Sequence, residues 1–299
     1  MQVLPSPGGG SNEAPPVVLS IAGFDPSSGA GVTADLKVFA AFGLFGVAAP
    51  TALTVQSTQG VRGAEMVRPG LLADMLECLA ADVEIAGVKI GMLGSAAVVA
   101  AVTEWLARYS GSRPELPVVL DPVLRSSSGA ALLDEAGVEQ LRERLLPLCT
   151  VATPNAQEAA ELCGQVFRGR TGVEEAADAV LRRVRPGRWS GVLVTGGDLE
   201  NNAVSEDYLL CQGEQTGRWL RADRVHTRAT HGTGCALSSA LLCGLVRGDT
   251  LEAASSEAKQ YVREAMLAAY PIGRGRGPLH HLFGRGPGLA TYPANVSSE

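Results

Sequence analysis

The stretch Thr230-His231-Gly232-Thr233-Gly234-Cys235-Ala236-Leu237-Ser238-Ser239-Ala240 carries the strongest chemical signal in this chain. Two glycines close a tight loop, and an apolar run with Leu237, Leu241 and Leu245 at four-residue spacing follows at once. The spacing predicts a helix whose first turn holds Gly234 and Cys235. There the unpaired backbone N–H groups and the helix dipole favour an anion, most naturally a phosphate. A thiol in that turn is expected to be more acidic than usual. Cys235 therefore reads as a proton acceptor beside a phosphate, against the plainer reading of a small apolar filler. The stretch points to phosphoryl transfer.

Other polar residues close apolar runs. Asp121 follows Val118-Val119-Leu120, and Asn155 and Glu158 lie in Thr153-Pro154-Asn155-Ala156-Gln157-Glu158. Oxygen donors from two strand ends suit a hydrated Mg²⁺ carrying nucleotide phosphates. The same Asn155/Glu158 spacing also spells a helix capping box. The loop Gly23-Phe24-Asp25-Pro26-Ser27-Ser28-Gly29-Ala30-Gly31 lets backbone approach a ligand closely. It is neither a Walker A loop nor GxGxxG, and reads equally as a strand-to-helix turn. Asp35 either faces that loop or is a solvated helix carboxylate. Gln56 offers two donors and an acceptor for one edge of a heteroaromatic ring, or makes an ordinary loop hydrogen bond. Lys259, by pattern alone, is a solvated charge.

The elements that must position these groups alternate. Apolar runs at 17–22, 47–53, 87–90, 118–120, 150–153 and 191–195 predict strands. Helical spacing is expected after Gly31 up to about Gly43, and over 71–81, 95–109 with Ser95 as cap, 134–146, 156–163, 174–184, 234–247 and 251–269. Residues 203–210 and 219–225 predict two antiparallel strands. Strands alternating with helices imply an α/β fold, a mostly parallel sheet covered on both faces, with ligands beyond the strands' carboxyl ends. Residues 1–16, rich in Gly, Pro and Ser, are expected to be a disordered leader, 17–285 one domain, and 286–299 a flexible tail.

Composition narrows the class. The 299 residues are 46% hydrophobic and carry a formal charge of −6, which argues against a nucleic-acid or anionic-membrane binder. Six cysteines without CxxC spacing, and only four histidines, form no zinc pattern and suit a reduced cytoplasmic protein. No signal peptide and no apolar run of membrane-spanning length is expected.

With these stretches assembled, the chain resembles the hydroxymethylpyrimidine/phosphomethylpyrimidine kinase family of thiamine biosynthesis, within the ribokinase-like fold. The matching blocks are IAGFDPSSGAGVTADLKVF from Ile21, TALTVQSTQGV from Thr51, VKIGMLGS from Val88, VVLDPV from Val118 and TPNAQEAAEL from Thr153, then HTRATHGTGCALSSA from His226, EAKQYV from Glu257 and GRGRGPLHH from Gly273. The resemblance implies a three-layer α/β/α architecture and two ATP-dependent phosphorylations, of 4-amino-5-hydroxymethyl-2-methylpyrimidine and then of its monophosphate. It implies ATP and Mg²⁺ as cofactors and a homodimer.

Carried onto this chain, the resemblance makes Gly232, Thr233 and Gly234 the anion hole and Cys235 the base. Gln56 would read the aminopyrimidine edge, with Gly23, Ala30, Asp35 and Met92 around the ring. Asp121 and Glu158 would attend the metal, and Asn155, Thr195, Gly197 and Lys259 the nucleotide. Ser57 and Ala229 stand where the family more often has asparagine, and Thr195 and Asp198 replace a common lysine and histidine. Weaker charge stabilisation is therefore expected, with Arg228 placed to compensate. Pyridoxal kinase shares the fold and the hydroxymethyl chemistry, and a non-catalytic vitamin-precursor sensor is the other alternative.

Overall fold

A computed structural model describes residues 14–125, 129, 131–196 and 203–284. The expected tail, most of the expected leader, Gly197 and Asp198 lie outside the described residues. Pro16, expected in the leader, accepts a hydrogen bond from the Phe45 amide and so already belongs to the sheet.

The strands are β1 (Val17–Phe24), β2 (Phe45–Ser57), β3 (Gly60–Met66), β4 (Ile85–Ile90), β5 (Val118–Leu120), β6 (Val151–Ala152), β7 (Gly191–Val194), β8 (Val204–Cys211) and β9 (Arg218–Asp223). The helices are α1 (Gly31–Ala41), α2 (Pro69–Asp82), α3 (Ala96–Gly111), α4 (Glu135–Gln140), α5 (Ala156–Cys163), α6 (Gly169–Leu181), α7 (Thr233–Val246) and α8 (Leu251–Leu267). All nine strands join one sheet in the order β3-β2-β1-β4-β5-β6-β7-β8-β9. The run from β2 to β7 is parallel, while β3, β8 and β9 pair antiparallel.

Side chains alternate across each strand, so one run of apolar residues feeds two cores. Leu19, Ile21, Val118, Leu120, Val192 and Val194 pack with α2, α3, α5 and α6 on one face. Val18, Val119, Val151, Leu193 and Leu209 pack with α1, α7 and α8 on the other. The expected three layers are present. Among the described residues no helix is long and apolar enough to cross a membrane.

Local readings differ in instructive places. β2 runs well past the expected 47–53 and turns into β3, which the sequence pattern did not announce. β3 (Gly-Val-Arg-Gly-Ala-Glu-Met) is an edge strand without apolar alternation, so pairing alone defines it. The expected helix 134–146 is α4 followed by a π turn at Leu141–Leu145 and a 3-10 turn at Leu146–Leu148, where Pro147 ends regular bonding.

One buried ion pair binds the elements beneath the α7 N-terminus. Lys89 of β4 and Asp35 of α1 are both fully buried, and Lys89 Nζ donates to both Asp35 oxygens at 3.0 Å. Ser20 of β1 and Ser239 of α7 also donate to that carboxylate, at 2.6 and 2.8 Å. Asp35 thus joins four elements and does not border the site cavity, against the expectation that it touches substrate. Replacing it strands an ammonium in the core, so Asp35→Ala should cost about 3–5 kcal/mol of unfolding free energy in urea titrations. A loss under about 1 kcal/mol would show that the pair does not hold these elements together.

Candidate active site

A cavity of about 1350 Å³ opens at the carboxyl ends of the parallel strands, bordered by the α7 N-terminus. Gly232 caps α7 with φ +84°, and a Cβ there would stand 1.9 Å from the Gly29 carbonyl oxygen. Only glycine allows the α7 loop to lie this close to the loop after β1. The first helix-type bond runs from the Ala236 amide to the Gly232 carbonyl. Among the described residues the amides of Thr233, Gly234 and Cys235 find no acceptor, as the first turn of a helix dictates. A Cβ on Gly234 would have only the Asp121 carboxylate oxygens near it, at 3.9 Å. The amide end of α7 therefore opens toward Asp121.

The charges behind this opening overturn one expectation. Burial pushes the Cys235 thiol up to about 12; Lys89 opposes this, while Asp121 and Asp35 add to it. Dehydration and two carboxylates outweigh the helix end, so the resting group is a thiol. Asp121 is raised as well, by burial first and by Asp35, against the pull of Lys89, whose Nζ lies 3.9 Å away. Ser238 Oγ donates to Asp121 at 3.3 Å. Burial pulls the Lys89 ammonium down, but Asp35 first and Asp121 after it hold it above its ordinary value. Sequence reasoning missed Lys89 because a lysine inside an apolar strand has no pattern of its own.

On the next strand end, Asn155 and Glu158 form the expected helix cap. Asn155 Oδ1 accepts from the Glu158 amide at 2.8 Å and Glu158 Oε2 accepts from the Asn155 amide at 2.9 Å, a complete capping box on α5. Both also line the cavity with Asp121. Burial, then Asp121, push the Glu158 carboxyl up to about 8. Thr195, whose amide donates to the Pro154 carbonyl at 2.9 Å, borders the cavity beside them.

The loop after β1 is organised by Asp25. Its Oδ1 accepts from the Ser27 amide and hydroxyl at 2.8 and 2.7 Å, and its Oδ2 from the Gly29 and Ala30 amides at 3.2 and 3.0 Å. The Ala30 amide is thus spent on Asp25, leaving Ala30 as wall rather than donor. Burial would raise the Asp25 carboxyl, but His231 and Ser27 hold it below its ordinary value. His231 Nε2 lies 2.7 Å from Asp25 Oδ2 and 3.1 Å from Gln56 Nε2. It joins the loop after β1 to β2, although it drew no role from the stretch that contains it. Met92 fills the space beside Gly23, where a Cβ would stand 3.0 Å from its Cε. Gly23, Ala30, Gln56 and Met92 all border the cavity.

At the other end, Lys259 is buried rather than solvated. Its Nζ donates to Asp207 Oδ2 at 2.7 Å and Ser205 Oγ at 3.3 Å. Asp207 Oδ1 accepts from the Gly196 amide at 2.9 Å, fixing the exit of β7. Asp207 sits within an antiparallel strand, where only topology brings it to the site. Ala222, Val225, Val262 and Met266 give this end an apolar wall.

Comparison with known proteins places this geometry. Residues 25–280 match the family model described as phosphomethylpyrimidine kinase. A Streptomyces coelicolor protein named hydroxymethylpyrimidine/phosphomethylpyrimidine kinase is 43% identical over 267 residues, covering 89% of this chain and 94% of that protein. The crystal structure of phosphomethylpyrimidine kinase from Clostridium difficile 630 has a TM-score of 0.71 at 32% identity, covering 84% of this chain and 99% of that one. The structure of Staphylococcus aureus pyridoxal kinase in complex with AMP-PCP has a TM-score of 0.80 at 27% identity, covering 91% and 96%.

Glu158 makes stability pH-dependent. The folded chain keeps its proton up to about pH 8, whereas the unfolded chain releases it in the usual carboxylate range. The native state therefore binds more protons between these limits, and stability falls as pH rises through that window. In thermal melts from roughly pH 5 to 9, Glu158→Gln should flatten this fall. Equal slopes in both proteins would show that Glu158 ionises normally.

Proposed function

The chain belongs to the phosphomethylpyrimidine kinase family, and we infer from its site how it carries out that family's reaction. It is an ATP-dependent kinase of thiamine biosynthesis acting on hydroxymethylpyrimidine and on the resulting monophosphate. The observation that carries the site reading is the set of unpaired amides at Thr233, Gly234 and Cys235, opening on a cavity shared with Asp121, Gln56 and Lys259.

In this reading the γ-phosphate of ATP lies against those amides, where the helix end stabilises the charge that spreads over its oxygens in transfer. Adenosine lies along Ala222, Val225, Val262 and Met266, with Asn155, Thr195 and Lys259 on the nucleotide side. The aminopyrimidine presents its edge to Gln56 between Gly23, Ala30 and Met92. The hydroxymethyl oxygen attacks the γ-phosphorus in line, the bond to the β,γ-bridging oxygen breaks, and ADP leaves. Cys235 takes the hydroxyl proton in its thiolate form, which the Lys89 ammonium favours against burial and the nearby carboxylates.

Asp121 and Glu158 fit a hydrated Mg²⁺. Two raised carboxylates face one cavity, and a cation there would relieve both. Among the described residues there is no cage of three or more His, Cys, Asp or Glu, which accords with a cation held mainly by phosphates and water. When bound, Mg²⁺ neutralises phosphate charge. Six free thiols agree with a reduced, cytoplasmic setting. Leu53 and Val55, more than half exposed on β2, offer apolar surface for the second copy of a homodimer.

A second reading, activity on pyridoxal, draws on the high TM-score to a pyridoxal kinase structure. Turnover on hydroxymethylpyrimidine and pyridoxal, measured side by side, should favour the pyrimidine; preference for pyridoxal would reverse the assignment. Cys235→Ala should lower turnover on hydroxymethylpyrimidine by about a hundredfold or more. A loss below about threefold would leave the thiol a packing group.

A further inference from the structure

The two transfers differ in what they demand of the protein. The first acceptor is a neutral alcohol, which must lose a proton. The second is a phosphate monoester carrying about −1.5 to −2 charges near neutrality, approaching the anionic end of ATP. A terminal oxygen of that monoester bonds to the γ-phosphorus, the γ-phosphorus–bridging-oxygen bond breaks, and ADP departs with the electron pair. The dianion has no proton to lose, so this step needs cations rather than a base.

The basic side chains of the cavity wall include Arg224, whose guanidinium donates to the Val204 carbonyl, and two further groups. Arg125, Lys259 and Arg263 are paired with Glu161, Asp207 and Asp223. Arg228, Arg274 and Arg276 also line the cavity and are exposed, and among the described residues none has a carboxylate partner. Their backbone is nevertheless held. The Gly275 amide donates to Thr58 Oγ1 at 3.2 Å, and the Arg276 amide to the Thr58 carbonyl at 2.9 Å. The Gly277 amide donates to the Arg228 carbonyl at 3.0 Å, and the His231 amide to the Gly277 carbonyl at 3.1 Å. A Cβ on Gly275 would stand 1.9 Å from the Thr58 carbonyl oxygen, so the segment is pressed against the β2–β3 turn. The three guanidinium groups thus issue from a clamped backbone between the Gln56 end of β2 and the loop entering α7. The acceptor's phosphate must occupy that region if Gln56 reads the ring and α7 holds the γ-phosphate.

We propose that Arg228, Arg274 and Arg276 form the recognition site for the monophosphate acceptor and so carry the second phosphorylation. The assignment rests on the functional reading above. Its test is initial-rate kinetics with ATP on hydroxymethylpyrimidine and on its monophosphate, for the full chain and for Arg274→Ala/Arg276→Ala. The double variant should raise KM for the monophosphate by about tenfold or more relative to its effect on the alcohol. Arg274→Lys/Arg276→Lys should recover part of that loss, and added salt should raise KM for the monophosphate in the parent more than in the alanine variant. Equal losses on both acceptors, or a change under about threefold on the monophosphate, would overturn the proposal alone. A parent protein inert toward hydroxymethylpyrimidine would overturn the functional reading and this assignment with it.

Discussion

The site depends on an ion pair that substrate never touches. Lys89 and Asp35 are sealed between the sheet and the α1/α7 layer, with Ser20 and Ser239 completing the carboxylate's bonds. Buried charges are tolerated only when paired and hydrogen-bonded, so the arrangement is strict about geometry. It sets the depth of the first turn of α7 relative to β1 and β4. The same ammonium is the positive charge nearest Asp121 and acts on Cys235. One lysine therefore serves both the packing of four elements and the proton affinities of Asp121 and Cys235.

Around that bracket the fold supplies directions. Parallel strands end on one side of the sheet, and each end delivers a different chemical part: the Asp25 loop, Asp121, the Asn155/Glu158 cap, and Thr195. The two antiparallel strands that follow bring Asp207 under Lys259. The cavity is thus assembled from residues far apart in sequence, held by strand order rather than by local motif.

This explains which parts were legible. The alternation of strands and helices, the capped starts at Ser95 and Asn155, and the glycine turn before α7 all follow from local rules of periodicity, capping and backbone freedom. Groups whose surroundings come from the fold were not legible. Asp35 read equally as facing the loop or as a solvated carboxylate and Lys259 as a solvated charge, yet Lys89 and Asp207 bury them as partners. The expected acidity of Cys235 followed from its place at a helix end, and burial, with the neighbouring carboxylates, reverses it. β3 was invisible because an edge strand lacking apolar alternation exists only through its partner.

The division of the core between the two sheet faces also orders events during synthesis. Most of the face packed by α2, α3, α5 and α6 is complete by the end of β8, whereas the opposite face waits for α7, α8 and Leu279. A nascent chain that has reached β9 still lacks the helices that cover Val119, Val151 and Leu193. Growth is vectorial, so this half-covered sheet is an obligatory and adhesive stage on the ribosome. The stretch that presses on Thr58 emerges after α8, so closure of the pocket follows the helical covering of both sheet faces.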